Sequence, residues 1–328
     1  MLRDARMRVA SIVGAAMLLA GGCGQAAAQS SKDVKIRFAY QTSIAGGSLM
    51  VTEARGLWGV PVDSKGFVAG SDVLQAILSG SADAGSMATT PTIVGGRTGD
   101  FVIAAVANRV GDTTAIIVPP NSSIKTVADL KGKKVAIQKG TTTALDMENY
   151  VLPHAGLSMH DIQVVNMGMG NMPAAVAGGR VDAAASVEPY ISIAVQQKTA
   201  KRLESMMAYD PIPVFIVFRT EFVKAHPDVV VNALRGYYKA VKWIKGHPKE
   251  TIDDIVAGLA KQGIKLDRKV VEMAWHTVDL DVNFSEADMR AYLNGAATLL
   301  IKSGKIKSAP DWKKLIRLDL AQKAMEEK

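Results

Sequence analysis

From residue 34 onward the chain alternates short apolar runs with longer stretches whose apolar residues recur at helical spacing. Residues 34–40 step Val-Lys-Ile-Arg-Phe-Ala-Tyr, the two-residue period of a strand. Further strands are predicted at 60–68 (broken by Pro61), 82–86, 101–107, 115–118, 135–137, 162–167, 183–186 and 214–219. Helices are predicted at 48–55, at 73–78 behind a Gly70-Ser71-Asp72 cap, from Pro91, and at 141–155, 171–178 and 189–199. From Glu221 the pattern is helical, with amphipathic helices at 229–245, 249–261, 268–278 and 286–303. Strands alternating with helices predict an α/β fold of doubly wound, mostly parallel sheets flanked by helices, and Pro119-Pro120 marks a break between two units.

The stretch 129–143 organises the second unit. A Lys- and Gly-rich turn leads into Val135-Ala136-Ile137, bounded as a buried parallel strand is. Gly140 then turns the backbone, and Thr141 and Thr142 open the next helix. Free N–H groups at a helix start, with the positive end of the dipole, can hold an anion or a carbonyl oxygen. The same residues also suit an ordinary strand-to-helix turn with a capping Thr.

Residues 72–84 are echoed 99 positions later at 171–183: a capped helix, a Gly, then an apolar residue, Asp and Ala entering a strand. Each strand runs on into a loop ending in Pro, Met87-Ala88-Thr89-Thr90-Pro91 in one case and Val187-Glu188-Pro189 in the other. Ligands of open α/β sheets sit beyond the carboxyl ends of strands, so two such units facing each other would line a shared cleft.

Composition narrows the function. The chain has 328 residues, 48% hydrophobic and 21% charged, enough for two lobes with substantial cores. Arg3, Arg6 and Arg8 precede an apolar run at 9–19, too short to span a bilayer, so residues 1–28 read as an export leader. Ala26-Ala27-Ala28 before Gln29 suits ordinary signal cleavage. Leu19-Ala20-Gly21-Gly22-Cys23 offers the alternative of a lipoprotein box, with Ala20 where Leu is usual. Cys23 is the only cysteine, so the mature part has neither a disulfide nor a thiol nucleophile. The net charge is +8; Arg3, Arg6 and Arg8 against Asp4 account for +2, leaving +6 spread over the rest. Basic and aromatic residues are not interleaved, which speaks against a nucleic-acid partner.

The phrase Asp129-Leu130-Lys131-Gly132-Lys133-Lys134-Val135-Ala136, the Gly140-Thr141-Thr142 turn and both Gly-x-apolar-Asp-Ala phrases resemble the substrate-binding proteins of ABC importers for nitrate, aliphatic sulfonates, taurine and thiamine-precursor pyrimidines. The likeness covers nearly the whole mature chain, although 56–61 is terser than the family's usual segment. It implies the two-lobed type II periplasmic binding fold. Lobe 1 would comprise 33–115 and 216–328, with the C-terminal helices, and lobe 2 would comprise 116–215. The chain would cross between them near 115–118 and 214–219. It also implies a monomer that hands its ligand to a membrane permease. Thr42 and Ser43 match the family's first cleft loop, where hydroxyls meet the ligand, and equally suit a polar turn.

Met87 and Thr89 stand in the second cleft loop, and Gly140, Thr141 and Thr142 in the third. Glu188 either receives a ligand donor or caps the following helix, and Tyr190 supplies a wall, a hydroxyl or plain packing. Arg109 ends a buried strand, where it could clamp a sulfonate or carboxylate or simply be solvated. Enzymatic readings are weak. The five His residues have no metal spacing, Gly168-Met169-Gly170 lacks the third Gly of a dinucleotide site, and no phosphate-binding Gly-Lys-Ser/Thr occurs. The sequence therefore predicts a binding protein without cofactor or metal. Its expected ligand is a small organic acid or sulfonate. A neutral heteroaromatic ligand is the alternative, because Glu188 speaks against a purely anionic pocket. From a different class, a pyrimidine-synthase-like enzyme on the same fold is the other alternative.

Overall fold

The computed structural model describes residues 34–326. The predicted leader, with Cys23, lies outside the described residues. In chain order the strands are β1 (Ile36–Gln41), β2 (Val62–Phe67), β3 (Ala84–Met87), β4 (Phe101–Arg109), β5 (Thr114–Val118), β6 (Lys134–Ile137), β7 (Gln163–Asn166), β8 (Ala183–Val187), β9 (Lys201–Ser205) and β10 (Pro213–Arg219). The helices are α1 (Gly47–Ala54), α2 (Gly70–Leu78), α3 (Thr89–Gly96), α4 (Thr142–Asp146), α5 (Leu152–His154), α6 (Met172–Ala177), α7 (Tyr190–Gln196), α8 (Thr220–Ala225), α9 (Pro227–Gly246), α10 (Pro248–Lys261), α11 (Arg268–Trp275), α12 (Glu286–Lys302), α13 (Trp312–Leu315) and α14 (Asp319–Glu326). A π-helical turn, Met147–Val151, joins α4 to α5.

Two five-stranded sheets result, ordered β2-β1-β3-β10-β4 and β7-β6-β8-β5-β9. In each, the first three strands are parallel, and the fourth is antiparallel to both its neighbours. The antiparallel strand is the one by which the chain enters from the other sheet: β5 directly follows β4, and β10 directly follows β9. The passages themselves are 110–113 and 206–212. Residues 115–118 and 214–219, expected as crossings, lie in sheet strands because their side chains, Arg219 apart, are apolar and buried on both faces.

The sequence echo marks equivalent places. The Asp83 carboxylate accepts the backbone N–H of Arg37 at the start of β1 (3.0 Å), and the Asp182 carboxylate accepts that of Lys134 at the start of β6 (2.8 Å). Each Asp ties the turn before its strand to the neighbouring parallel strand, a structural task repeated in both lobes.

Strand alternation divides each lobe into two apolar layers. In lobe 1, Ile36, Phe38 and Phe218 pack against α1, α9, α10 and α14, while Ala39, Phe215 and Val217 face α2, α3 and α12. In lobe 2, Val135 and Ile137 face the α4–α5 segment, while Ala136 and Ala184 face α6 and α7. Tyr237 of α9 is fully buried, and its hydroxyl is satisfied by donating to the Ala107 carbonyl (2.6 Å), with the Ser48 hydroxyl 2.9 Å away.

Three local expectations change. Strand β9 was not predicted. It is an edge strand of sequence Lys-Arg-Leu-Glu-Ser, half-buried along its length, and lacks the apolar alternation that reveals inner strands. Gly70, Ser71 and Asp72 form the first turn of α2 and do not cap it; the N-cap is Ala69. Helix α3 begins at Thr89, which puts Pro91 inside the first turn, where the N–H it lacks has no helical partner to lose.

The terse segment 56–61 crosses α9 at Gly236, where an added Cβ would stand 2.1 Å from the Leu57 carbonyl oxygen. Gly236→Ala is therefore expected to destabilise the fold by about 1–3 kcal/mol despite alanine's helix preference. Gly295→Ala, in open space on α12, should stabilise it by roughly 0.5–1 kcal/mol. Denaturant unfolding of both variants checks the pair.

Candidate functional site

In both lobes the parallel strands end at the same seam, so the helices that follow them begin there. From lobe 1 the cleft wall receives Thr42 and Ser43 after β1, Gly70 and Ser71 opening α2, and Ala88 and Pro91 at the start of α3. From lobe 2 it receives Gln138 to Thr143 between β6 and α4, and Val187, Glu188 and Tyr190 leading into α7. The cavity measures about 180 Å³. Val68, Met169, Ile212 and Val214 give it an apolar side.

Of the ten candidate residues, Thr42, Ser43, Gly140, Thr141, Thr142, Glu188 and Tyr190 lie on this wall. Several of their polar groups already have work. Thr141 caps α4: its hydroxyl accepts the Ala144 N–H (3.2 Å) and donates to the Gln138 carbonyl (2.8 Å). The Thr142 hydroxyl accepts the Thr90 N–H across the seam (3.0 Å). The Thr42 hydroxyl donates to the Phe67 carbonyl (3.1 Å). Among the described residues, the hydroxyls of Ser43, Ser71 and Tyr190 have no partner. Burial pushes the Tyr190 phenol above its ordinary pKa, so it stays a donor.

Three candidates are placed elsewhere. Met87 is buried in the lobe 1 core, where it pairs with Phe215 across β3 and β10. Thr89 is fully buried, 2.8 Å from the Tyr292 hydroxyl. Arg109 turns to the 276–284 segment, where it donates to the Asn283 carbonyl (3.1 Å), pairs with Asp281 (3.4 Å) and lies over the Phe284 ring. An acidic partner, a carbonyl and an aromatic face all on lobe 1 hold it outside the cavity lining.

Glu188 is 2% exposed, and both its oxygens are committed. One accepts the Ser192 N–H at the start of α7 (2.9 Å) and the other the Arg202 guanidinium (2.7 Å). Arg202 also binds Asp112 in the first passage between the sheets (2.9 Å). The carboxylate therefore caps its helix with its charge neutralised. Lys139 is then the one side chain among the described lining residues whose charge is uncompensated. It was not singled out from sequence, although its place beside the Gly140 turn is a usable signal. Thr114 was missed too: it lines the cavity, and its buried hydroxyl has no hydrogen-bond partner. As the first residue after a passage between lobes, it carries no local motif. No group of three or more His, Cys, Asp or Glu among the described residues is placed to hold a metal ion.

A family model described as NMT1/THI5 like matches residues 59–251. A putative aliphatic sulfonates-binding protein of Bacillus subtilis is 30% identical over 327 residues, covering 95% of each chain. The chain belongs to the NMT1/THI5-like family. Its fold matches that of the periplasmic aliphatic sulphonate binding protein SsuA from Escherichia coli with a TM-score of 0.77 and 24% identity, over 86% of this chain and 92% of that one. The alkanesulfonate-binding protein SsuA from Xanthomonas axonopodis pv. citri, solved bound to MOPS, matches with a TM-score of 0.71 and 24% identity, over 88% and 97%. This NMT1/THI5-like chain is a solute-binding protein with the two-lobed periplasmic binding fold.

Removing the cation from the buried pair tests its structural role. Arg202→Met leaves the Glu188 carboxylate desolvated without its counter-charge and should cost about 2–3 kcal/mol in denaturant unfolding.

Proposed function

We propose that this protein is the solute-binding component of an ABC importer. In this reading it captures a small organic sulfonate or related organic acid between its lobes and delivers it to a membrane permease. The leader at 1–28 exports it to the periplasm, with Cys23 as the alternative lipid anchor, and it works as a monomer. Residues 116–215 close as one body onto 33–115 and 216–328.

One observation carries the choice of ligand charge: Lys139 is unopposed in a cleft edged by helix starts and hydroxyls, while Glu188 is neutralised by Arg202. An oxyanion there meets partial positive charge from several directions. The apolar side formed by Val68, Met169, Ile212 and Val214 suits an organic tail. The name of the Bacillus subtilis relative points the same way. A neutral heteroaromatic ligand loses its support, since it rested on an available Glu188 carboxylate.

Calorimetric titration of the mature protein against short alkanesulfonates, the matching carboxylates, nitrate and pyrimidines is the test. Sulfonates should bind most tightly. A ligand at 100 times its Kd should raise stability by about 2.7 kcal/mol. Lys139→Met should weaken sulfonate binding about tenfold, or roughly 1.4 kcal/mol, and reduce its sensitivity to salt. Binding of a pyrimidine with no response to any sulfonate or carboxylate would overturn the assignment.

A further inference from the structure

Lobe 2 meets lobe 1 where α7 lies against α11, and again through α4 and the π-helical turn. Leu145 packs into the lobe 1 core, Thr142 accepts the Thr90 N–H, and Glu148 pairs with Lys305. Between these contacts sits Asp146, 0% exposed, with neither carboxylate oxygen receiving a hydrogen bond from any described donor. It faces Asp210 of the second passage. Asp210 is well supplied: the Ile212 N–H donates to it (2.8 Å), and the Tyr292 hydroxyl lies 2.8 and 3.0 Å from its two oxygens.

Among the described residues, the groups around the pair bring no positive charge to it. Helix α3 presents the Thr89 hydroxyl to Tyr292, α12 presents Tyr292, and the π-helical turn presents Tyr150. Burial, then the nearby carboxylates, push both phenols above their ordinary pKa, so they remain neutral. Lys305, the partner of Glu148 two positions after Asp146, is engaged by that carboxylate. Two carboxylates in contact in such a place do not both ionise. A proton between them turns one into a donor and supplies the hydrogen bond that Asp146 lacks.

We propose that Asp146 and Asp210 form a proton-operated latch: one shared proton holds lobe 2 against lobe 1, and its loss drives the lobes apart. This holds whichever solute the cleft takes.

Burial and the facing Asp210 raise the Asp146 carboxyl well above the usual carboxylate range, and burial chiefly raises Asp210. Opening would wet Asp146 and return it to ordinary acidity, so closing takes up a proton. Between the ordinary carboxylate pKa and the raised value of the pair, the closed form loses population as pH rises, up to tenfold per unit; outside that window it is indifferent to pH. The pair titrates as a unit.

The ligand-free mature protein tests this without knowledge of the solute. Small-angle X-ray scattering of the wild type should show a larger radius of gyration at about pH 8 than at about pH 5. Asp146→Asn, whose carboxamide donates to Asp210 with no proton to lose, should stay compact at both. Infrared spectra of the wild type near the lower pH should contain the carbonyl band of a protonated buried carboxyl, absent from Asp146→Asn. Identical pH responses of the two proteins overturn the latch. So does the lack of that band in folded wild type, which decides the matter even if the variant does not fold. Compaction governed by added divalent cations and indifferent to pH also overturns it.

Discussion

Four of the five strands in each sheet run in one direction, and that polarity decides where most of the helices that follow them begin. A strand followed by a crossover helix and a parallel strand returns the chain to the same edge each time. The carboxyl ends of β1 and β3, and of β6 and β8, therefore meet at one seam. The backbone N–H groups that a helix start leaves free collect there without any sequence motif being required. The preference for negative charge proposed for the cleft would be first a property of topology. Side chains such as Thr141 then determine which of those N–H groups remain available.

The charged side chains refine that preference. A carboxylate as deeply buried as Glu188 is tolerated only when paired. The protein pairs it with Arg202, which also grips Asp112 in the first passage between sheets. The wall of the cleft and the connection between lobes are thus tied through one guanidinium. The acidic partner costs the cleft no positive field, because its charge is cancelled within the lobe. Lys139 is left to act on whatever enters.

Much of this was legible in sequence where the signal was local. The Thr141 cap, the apolar run of β6 and the repeated phrase around Asp83 and Asp182 each show within a few positions, although the Arg37 and Lys134 partners of the two Asp residues lie far from them in sequence. Non-local partnerships were not legible. Arg109 stands in sequence as a free guanidinium at a strand end, yet its partners Asp281 and Asn283 lie more than 170 positions onward. Thr89 looked like a cleft hydroxyl, but Tyr292 of α12 takes it into the seam. Glu188 offered two roles, and the choice rested on Arg202, in an edge strand too polar to be recognised as a strand. In each case the deciding group came from an element whose position only the fold supplies.

The passages between lobes explain how such a molecule can close without disturbing its cores. Val110 donates its N–H to the Ile212 carbonyl (2.9 Å), so the two passages form a hydrogen-bonded ribbon. The ribbon continues as β4 beside β10 on one side and β5 beside β9 on the other. A two-stranded ribbon bends across its face more readily than it shears along its strands, since shear breaks the ladder that bending preserves. The apolar layers lie on either side of it, sealed within their own lobes, and Leu145 is the lobe 2 side chain that joins the lobe 1 core. Movement at the ribbon therefore exchanges contacts at the seam, those of Leu145 and of α7 against α11 among them, while the apolar layers inside each lobe stay buried. The free-energy difference between open and closed forms is then set by a few groups at the seam, small enough for a solute's differential contacts to decide it.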